Sequence, residues 1–284
     1  MVFKNLIPLV EKIGINLYDM AFYQDGQIQE HRFQLCNNCN NCYSVAKAFL
    51  MTAVGMLQDD GLIDVKKPIS FYMSSLIPKD ADPAWQVATV ENALTHKLGF
   101  NTGFLDIDVE DVTAYPTDDY LDMVFRHPLH YLPGQQFQYS DAAFYLVSRL
   151  ISCVSGENVD VFLKRRLFKP MGFRESAWSC CPRNYPIGAT GLYTSAYDMV
   201  KLPALYMQKG MWNGERLLSE QWINRAIGNE YELHPRTPEL IGKGGMYGQM
   251  ILFHTEKHYA IAWHAHNTDN EKIQQLIECI DKNI

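Results

Sequence analysis

The stretch that decides the fold is LCNNCNNCYSVAKAFLMTAVGMLQDDG, residues 35–61. Its second half predicts a helix over residues 44–57, because a serine stands at the start, apolar residues recur at helical spacing and Asp-Asp-Gly follows. On that helix Ser44 and Lys47 share one face, one turn apart. A serine at a helix start can act as a nucleophile when a nearby lysine serves as its base. The same tetrapeptide, SVAK, also fits a capping serine followed by a solvated lysine, so alone it predicts no activity.

The first half of the stretch contains a C-x-x-C-x-x-C run, formed by Cys36, Cys39 and Cys42. A tetrahedral zinc site or an iron–sulfur cluster needs a fourth ligand, for which Cys180, Cys181 or a histidine such as His31 are candidates. Buried free cysteines are also common as small apolar residues in reduced compartments. We therefore predict no metal here and interpret the run as thiols on the approach to the helix.

Two further histidines, His264 and His266, alternate near the end of a predicted strand. Alternation places both imidazoles on one face of a sheet, as in some metal sites. No carboxylate is positioned in the sequence to complete such a site, and an isolated H-x-H pattern carries little information. We predict histidines on the surface of the sheet.

Composition and charge exclude several classes of protein. The chain has 284 residues, 47% of them apolar, and a formal net charge of −7. This charge argues against a nucleic acid or an anionic membrane surface as the main partner. No segment approaches the ~20 apolar residues that a membrane span needs. The first residues are typical of an amphipathic helix rather than a signal peptide, so we predict a cytoplasmic protein whose seven cysteines are reduced.

Strands are predicted near both ends of the chain, with helices between them. Asp25-Gly26 is a turn signal between two strand patterns, which predicts a hairpin. This arrangement predicts an α/β sheet domain built from both termini, residues 1–60 and 185–284, and a mostly helical subdomain over residues 61–184. The individual predictions are helices over 6–13, 118–126, 141–154, 160–167, 196–208 and 270–284, and strands over 16–23, 27–34, 247–254 and 259–264.

Two companion motifs follow SVAK in a fixed order. YSD occupies residues 139–141 at a predicted helix start, and KGG occupies residues 243–245 ahead of a predicted strand. With these motifs the sequence resembles the serine β-lactamase and penicillin-binding-protein superfamily, and within it the class C β-lactamase-like branch. That branch also contains D-alanyl-D-alanine peptidases and esterases. Its motifs S-x-x-K, Y-x-N and K-T-G (or H-x-G) are represented here by SVAK, YSD and KGG.

Further landmarks of the branch lie between the motifs, in family order. They are LTHKLGF (94–100), LPGQQFQYSDAAFYLVSRLI (132–151), LFKPMGF (167–173) and ATGLYTSAYDMVKL (189–202). The resemblance implies an α+β fold with a β-lactamase/transpeptidase-like antiparallel sheet flanked by helices and a mostly helical subdomain. It places the active site in the cleft between the two parts, with neither cofactor nor metal.

The resemblance also implies a role for each motif residue. Ser44 would be the acylated nucleophile and Lys47 its proton acceptor. Tyr139 would carry a proton to and from the leaving group. Lys243 would supply a positive charge, so that it forms a coupled titrating cluster with Lys47 and Tyr139.

An oxyanion hole is implied at the same place. It would consist of the backbone N–H of Ser44 and that of Met246, which follows Gly245 at the end of KGG. These donors would stabilise the negative oxygen of a tetrahedral intermediate.

Two motif positions depart from the family pattern. Asp141 replaces the usual Asn and removes an amide donor; an ionised carboxylate there would keep nearby lysines protonated. Gly244 replaces the Thr of K-T-G, which removes a hydroxyl that helps to bind a substrate carboxylate. YSD also fits a plain helix start, in which Ser140 or Asp141 caps the helix and Tyr139 packs on its first turn. Both departures favour acyl esters over β-lactams and peptidoglycan peptides.

Three hypotheses follow. The first is a serine hydrolase that acts through an acyl-enzyme on a small-molecule ester or amide, with carboxylesterase activity ahead of D-amino-acid peptidase activity and β-lactamase activity third. The second is a catalytically weakened family member that binds a small molecule or a partner. The third is a metal or redox sensor built on the cysteine run.

Overall fold

The computed structural model describes residues 2–267 and 269–284, which divide into two compact units. The first unit runs to Ala48 and includes Pro170–Ala177 and Leu192–Ile284. The second consists of Phe49–Lys169 and Trp178–Gly191. Compared with the predicted boundaries, the first unit also contains Pro170–Ala177, whereas residues 49–60 and 185–191 belong to the second unit.

The α-helices are distributed along the whole chain. They are α1 (Phe3–Ile13), α2 (Ala46–Asp59), α3 (Ile69–Met73), α4 (Val90–Leu94), α5 (Tyr120–Arg126), α6 (Asp141–Ser155), α7 (Val159–Leu163), α8 (Ala196–Met199), α9 (Lys201–Met207), α10 (Glu220–Gly228) and α11 (Asn270–Asn283). Short 3₁₀ helices lie at Tyr43–Val45, Ser74–Leu76, Pro83–Gln86, Val112–Ala114 and Met246–Gly248, and a π-helical turn lies at Lys164–Phe168.

The strands cluster in the first unit. They are β1 (Leu17–Gln24), β2 (Gln27–Arg32), β3 (Asn40–Asn41), β4 (Ser176–Trp178), β5 (Leu192–Thr194), β6 (Met211–Trp212), β7 (Glu215–Arg216), β8 (His234–Pro235), β9 (Leu240–Gly244), β10 (Met250–His254) and β11 (Tyr259–Ala265).

The main sheet of the first unit has six strands in the order β2-β1-β11-β10-β9-β8, and its recorded pairings are antiparallel. Asp25 and Gly26 both adopt positive φ, at 51° and 76°, and close the predicted β1–β2 hairpin. Strands from both ends of the chain meet where β1 pairs with β11. The predicted α+β fold with an antiparallel sheet is confirmed.

One face of this sheet is covered by the terminal helices. Leu6 and Val10 from α1 and Leu276 from α11 join buried sheet residues such as Phe22 and Trp263 in a single apolar cluster. Helices α8 and α9 contact the strands as well, where alternation presents a second set of side chains. The sheet is therefore a central layer of the first unit, with helices packed on both of its faces.

The second unit is organised around α6, whose residues from Asp141 to Ile151 are all buried. Helices α3, α4, α5 and α7 contact it. A separate aromatic group forms where Trp85 packs edge-to-face on Phe125 and Phe100, with the indole N–H of Trp85 donating to the carbonyl of Phe125 at 3.1 Å. In the described part of the chain, every helix falls short of the length and apolar character that a bilayer crossing requires.

Candidate active site

Ser44 lies in a tight turn that precedes the long helix. Residues Tyr43–Val45, here called the nucleophile turn, form one 3₁₀ turn, and α2 begins at Ala46. Tyr43 has a φ of 47°, and its N–H donates to Asn41 Oδ1 at 2.9 Å. The helix was predicted to begin at Ser44; it begins two residues later because the chain first tightens into this turn.

The structure brings Ser44 and Lys47 together. Lys47 Nζ lies 3.0 Å from Ser44 Oγ, within hydrogen-bond distance. The Lys47 side chain has no solvent exposure, whereas Ser44 is half-buried. The interpretation of SVAK as a capping serine followed by a solvated lysine is therefore wrong. The spacing of three residues places the ammonium group of Lys47 next to the Ser44 hydroxyl and away from water.

The KGG segment, residues 243–245, approaches the same turn at its last glycine. A Cβ atom on Gly245 would lie 2.6 Å from the Cys42 carbonyl oxygen and 3.3 Å from the Ser44 backbone nitrogen. Only glycine allows this approach of two backbone segments. The end of β9 is thus held against the backbone N–H predicted as one oxyanion donor. Met246, which carries the other predicted donor, follows directly and begins the 3₁₀ turn Met246–Gly248.

Aromatic rings pack between the nucleophile turn and the 3₁₀ turn Met246–Gly248. The rings of Tyr43 and Tyr247 pack edge-to-face with centroids 5.3 Å apart, and Tyr247 stacks on His266 at 4.7 Å. Tyr247 also has a positive φ, of 58°. The predicted strand from residue 247 begins only at Met250, because residues 246–248 are used for this turn.

Lys243 is held by a residue that the sequence analysis did not identify. Its ammonium group forms an ion pair with the carboxylate of Glu232, and the two side chains are only 7% and 2% exposed. Glu232 adopts a positive φ of 61° just before β8. The partners are eleven residues apart, with Glu232 just before β8 and Lys243 within β9, so no local sequence pattern predicts the pair.

The YSD motif lies in the second unit, at the start of α6. Ser140 is the N-cap residue, but its side chain makes no capping hydrogen bond. The ring of Tyr139 lies 4.4 Å from that of His96, and the Ser140 N–H donates to His96 Nδ1 at 3.2 Å. His96, from the LTH landmark, therefore supports the tyrosine and its turn.

Asp141 belongs to a group of three carboxylates. It is 6% exposed, and one oxygen from each of Asp106, Asp108 and Asp141 lies within 4.8 Å of the others. Such a group is close enough to share one cation, although carboxylates also cluster without one. The sequence analysis missed Asp106 and Asp108, because their loop follows no recognisable pattern.

We predict that Asp141→Asn will accelerate acylation at neutral pH by up to about tenfold, because an ionised carboxylate at this motif position would, as the resemblance implies, favour the protonated form of the motif lysines. The rate of burst-phase acylation, measured by stopped flow, tests this. Asp108→Asn is the matched control, because it relieves the same cluster without changing the motif. An unchanged rate in Asp141→Asn would remove this role for the carboxylate.

The sequence analysis placed His264 and His266 on the surface of the sheet, but one of them contacts the cysteine run. His264 is fully buried, so that prediction is wrong for His264, whereas His266 lies past the strand end and is exposed. His264 Nε2 lies 3.9 Å from Cys42 Sγ, and its Nδ1 lies 2.9 Å from Asp19 Oδ1. Burial and the Asp19 charge raise the pKa of Cys42 well above its usual range. Cys42 is therefore a protonated core thiol at neutral pH.

Cys39 has similar surroundings. Burial and the carboxylate of Glu175 raise the pKa of the Cys39 thiol to about 11. Cys36 also has a raised pKa, chiefly from burial. Reactive cysteines need a lowered pKa, so these thiols lack the electrostatics of nucleophiles.

Comparison with known protein families matches most of the chain. The family model described as Beta-lactamase matches residues 41–275, which include SVAK, YSD and KGG. The chain belongs to the β-lactamase family. Members share an α+β fold with an antiparallel sheet, and the family consists of hydrolases of this fold.

Parts of the chain are also similar in sequence to individual proteins. A Bacillus subtilis protein named as penicillin-binding protein PbpX is 27% identical over 148 residues, which are 52% of this chain and 35% of that protein. The lovastatin esterase of Penicillium rubens is 24% identical over 177 residues, 55% of this chain and 43% of the enzyme. The matches thus span less than half the length of these relatives.

A solved structure shows the same fold over nearly the whole chain. It is a Bacillus anthracis protein described as a 6-aminohexanoate-dimer hydrolase, with a TM-score of 0.82 and 17% identity. The similarity covers 98% of this chain and 80% of that one. At this identity the likeness concerns the fold alone.

Proposed function

We propose that this β-lactamase-family chain is a serine hydrolase that cleaves a small ester or amide through an acyl-enzyme on Ser44. Carboxylesterase activity ranks first, D-amino-acid peptidase activity second and β-lactamase activity third. The observation that carries the proposal is the 3.0 Å distance between Lys47 Nζ and Ser44 Oγ, with Lys47 fully buried.

This distance supports nucleophilic catalysis for a simple reason. A serine hydroxyl is a weak nucleophile until a base within hydrogen-bond reach takes its proton. Lys47 lies within this reach of Ser44, and its side chain is fully buried. The pair therefore has the separation and the burial that a Ser–Lys mechanism requires.

The proposed reaction consumes one water per bond cleaved. Ser44 Oγ attacks the acyl carbon while its proton passes to Lys47, and the carbonyl oxygen becomes negative beside the N–H groups of Ser44 and Met246. The bond to the leaving group then breaks, Tyr139 delivers a proton to the leaving group, and Lys47 returns the proton it took from Ser44 to Tyr139. Water next attacks the acyl-enzyme, which releases the acid and restores the Ser44 hydroxyl.

The ranking of substrates follows from Gly244 and Asp141. Gly244 lacks the hydroxyl that the K-T-G motif offers to a substrate carboxylate, and Asp141 lacks the amide donor of Y-x-N. Both groups serve peptide and β-lactam substrates more than simple esters. The similarity to a lovastatin esterase supports the same order.

Covalent labelling tests the proposal directly. A fluorophosphonate probe should add one label per wild-type chain, located on Ser44 by peptide mass spectrometry. The label should be absent from Ser44→Ala and retained in Ser75→Ala, which replaces an exposed serine of the second unit. A panel of small aryl esters, D-Ala dipeptides and a chromogenic β-lactam then ranks the substrate classes.

A folded wild-type chain that takes up no label would contradict the proposal. It would favour instead a family member that binds a small molecule without turning it over. Labelling that persists in Ser44→Ala would show that another nucleophile reacts, which also contradicts the assignment of Ser44.

A further inference from the structure

Three polar side chains of the first unit form a buried chain beside the nucleophile turn. They are Asp19 on β1, His264 on β11 and Cys42, the residue that precedes the turn. These residues are 7%, 0% and 0% exposed, respectively. Asp19 and His264 lie opposite each other in the β1–β11 pairing, so their side chains share one face of the sheet. None of the three belongs to SVAK, YSD or KGG, so the proposed mechanism leaves them without a role.

The hydrogen bonds of this chain run in one direction. A carboxylate accepts and does not donate, so His264 Nδ1 carries the proton that lies between it and Asp19 Oδ1, 2.9 Å away. The backbone N–H of His264 donates to the same oxygen at 3.3 Å. In a neutral imidazole with Nδ1 protonated, Nε2 is an acceptor. The donor on that side is the Cys42 thiol, whose pKa is raised by burial and whose Sγ has His264 Nε2 and the Asn40 carbonyl oxygen both at 3.9 Å.

Cys42 connects this chain to Ser44 through its backbone. The Cys42 carbonyl accepts a hydrogen bond from the Val45 N–H at 3.1 Å, which closes the turn that contains Ser44. The Cys42 N–H donates to the Leu192 carbonyl at 2.7 Å. Because both backbone groups and the side chain of Cys42 are bound, the residue has little freedom to rotate. A shift of Cys42 would move the Ser44 hydroxyl with it.

We propose that His264, oriented by Asp19, is a positioning residue for the nucleophile turn. By binding the Cys42 thiol, it keeps the Ser44 hydroxyl within reach of Lys47. The carboxylate fixes the tautomer of the imidazole, as the orienting acid does in a catalytic triad. The imidazole itself has no solvent exposure, so it acts on the turn and not on a substrate. This inference rests on the proposed hydrolase function.

Removing the contact between Cys42 and His264 should lower kcat for aryl-ester hydrolysis by about 10-fold, because a shift of the nucleophile near 1 Å costs about 100-fold and a smaller one costs less. KM should stay nearly constant, since the substrate does not touch either residue. His264→Asn keeps a donor for Asp19 but has no group that reaches Cys42, and Cys42→Ala removes the thiol. If the two residues act together, the double variant should be no slower than the slower single variant.

The tautomer of His264 is a readout that a space-filling role would not fix. In nitrogen-15 NMR spectra of the labelled chain, the His264 ring should show a protonated Nδ1 and an unprotonated Nε2. The same signal should be missing from His264→Asn, which assigns it. A proton on Nε2 of the neutral ring would overturn the inference, because the imidazole could not then accept from Cys42.

Matched controls separate this inference from the function on which it rests. His258→Asn, at an exposed histidine between β10 and β11, and Cys279→Ala, on α11, should keep the wild-type kcat. Thermal unfolding identifies the folded variants, and Cys42→Ala alone carries the kinetic test where His264→Asn does not fold. A wild type that takes no fluorophosphonate label contradicts the hydrolase function, whatever the tautomer. A labelled wild type whose kcat survives Cys42→Ala, or losses that add in the double variant, would overturn the role of His264.

Discussion

Replacing Lys47 with methionine should lower kcat/KM for ester hydrolysis by about 10²- to 10⁴-fold while the chain stays folded. The expected loss equals the usual contribution of a positioned general base. Methionine suits the test because Lys47 is fully buried, and a flexible apolar side chain of similar length fills the same volume without leaving a charge. The Ser44 hydroxyl, 3.0 Å from Lys47 Nζ in the wild type, would then have no amine to accept its proton.

Comparing the double variant with the two single variants tests this prediction most directly. Groups that act as one unit lose activity non-additively, so Ser44→Ala combined with Lys47→Met should be no slower than Ser44→Ala alone. Steady-state kinetics on an aryl ester measures the four rates, and Lys79→Met, at an exposed lysine, controls for the loss of one positive charge. A Lys47→Met rate within tenfold of the wild type would show that Lys47 only fills space.

Gly245→Ala should produce the second-largest effect, a loss of about 100-fold in kcat. The new Cβ would lie 2.6 Å from the Cys42 carbonyl oxygen and 3.3 Å from the Ser44 nitrogen, and both are backbone atoms that cannot rotate away. The end of β9 and the nucleophile turn must therefore separate, and a shift near 1 Å costs about this much in rate. Overpacking should also lower the free energy of unfolding by about 1–3 kcal/mol.

Gly228→Ala is the matched control for this substitution. Gly228 lies at the end of α10, where an added Cβ meets nothing within 4 Å. Alanine there should leave kcat unchanged and should stabilise the chain slightly, by up to about 1 kcal/mol. Kinetics and chemical denaturation of both variants would compare them. Equal kcat values for Gly245→Ala and the wild type would mean that the approach of β9 does not position Ser44.

Local signals in the sequence predicted those elements whose determinants lie within a few residues. Asp25-Gly26 predicts the hairpin because both residue types tolerate the positive φ that the turn requires. The spacing of Ser44 and Lys47 predicts their contact because one helical turn brings residues three apart together. The closing helix, predicted over 270–284, is α11 at Asn270–Asn283. The start of α11 could be predicted because its N-cap residue, Asp269, directly precedes the helix in the sequence and its carboxylate accepts from the first backbone N–H groups.

Contacts made over long sequence separations were not predictable in this way. His264 was expected on the surface, yet it is buried because Asp19, 245 residues earlier, lies opposite it in the β1–β11 pairing. The ion pair of Glu232 with Lys243 depends on how β8 lies beside β9. The predicted site residues are divided between the two units. The first unit contains Ser44, Lys47, Lys243, Gly245 and Met246, and the second contains Tyr139 and Asp141. The catalytic roles of these residues stay predictions.

The edge-to-face pair of Tyr43 and Tyr247 has a mechanical consequence. Each tyrosine holds a left-handed backbone conformation that costs a side-chain-bearing residue about 1–2 kcal/mol, and each directly adjoins a predicted oxyanion donor, Ser44 or Met246. Ring packing helps to keep both turns in these conformations. The same pair of rings therefore supports the strained turn beside each of the two predicted donors, so a change in either ring would affect both donors.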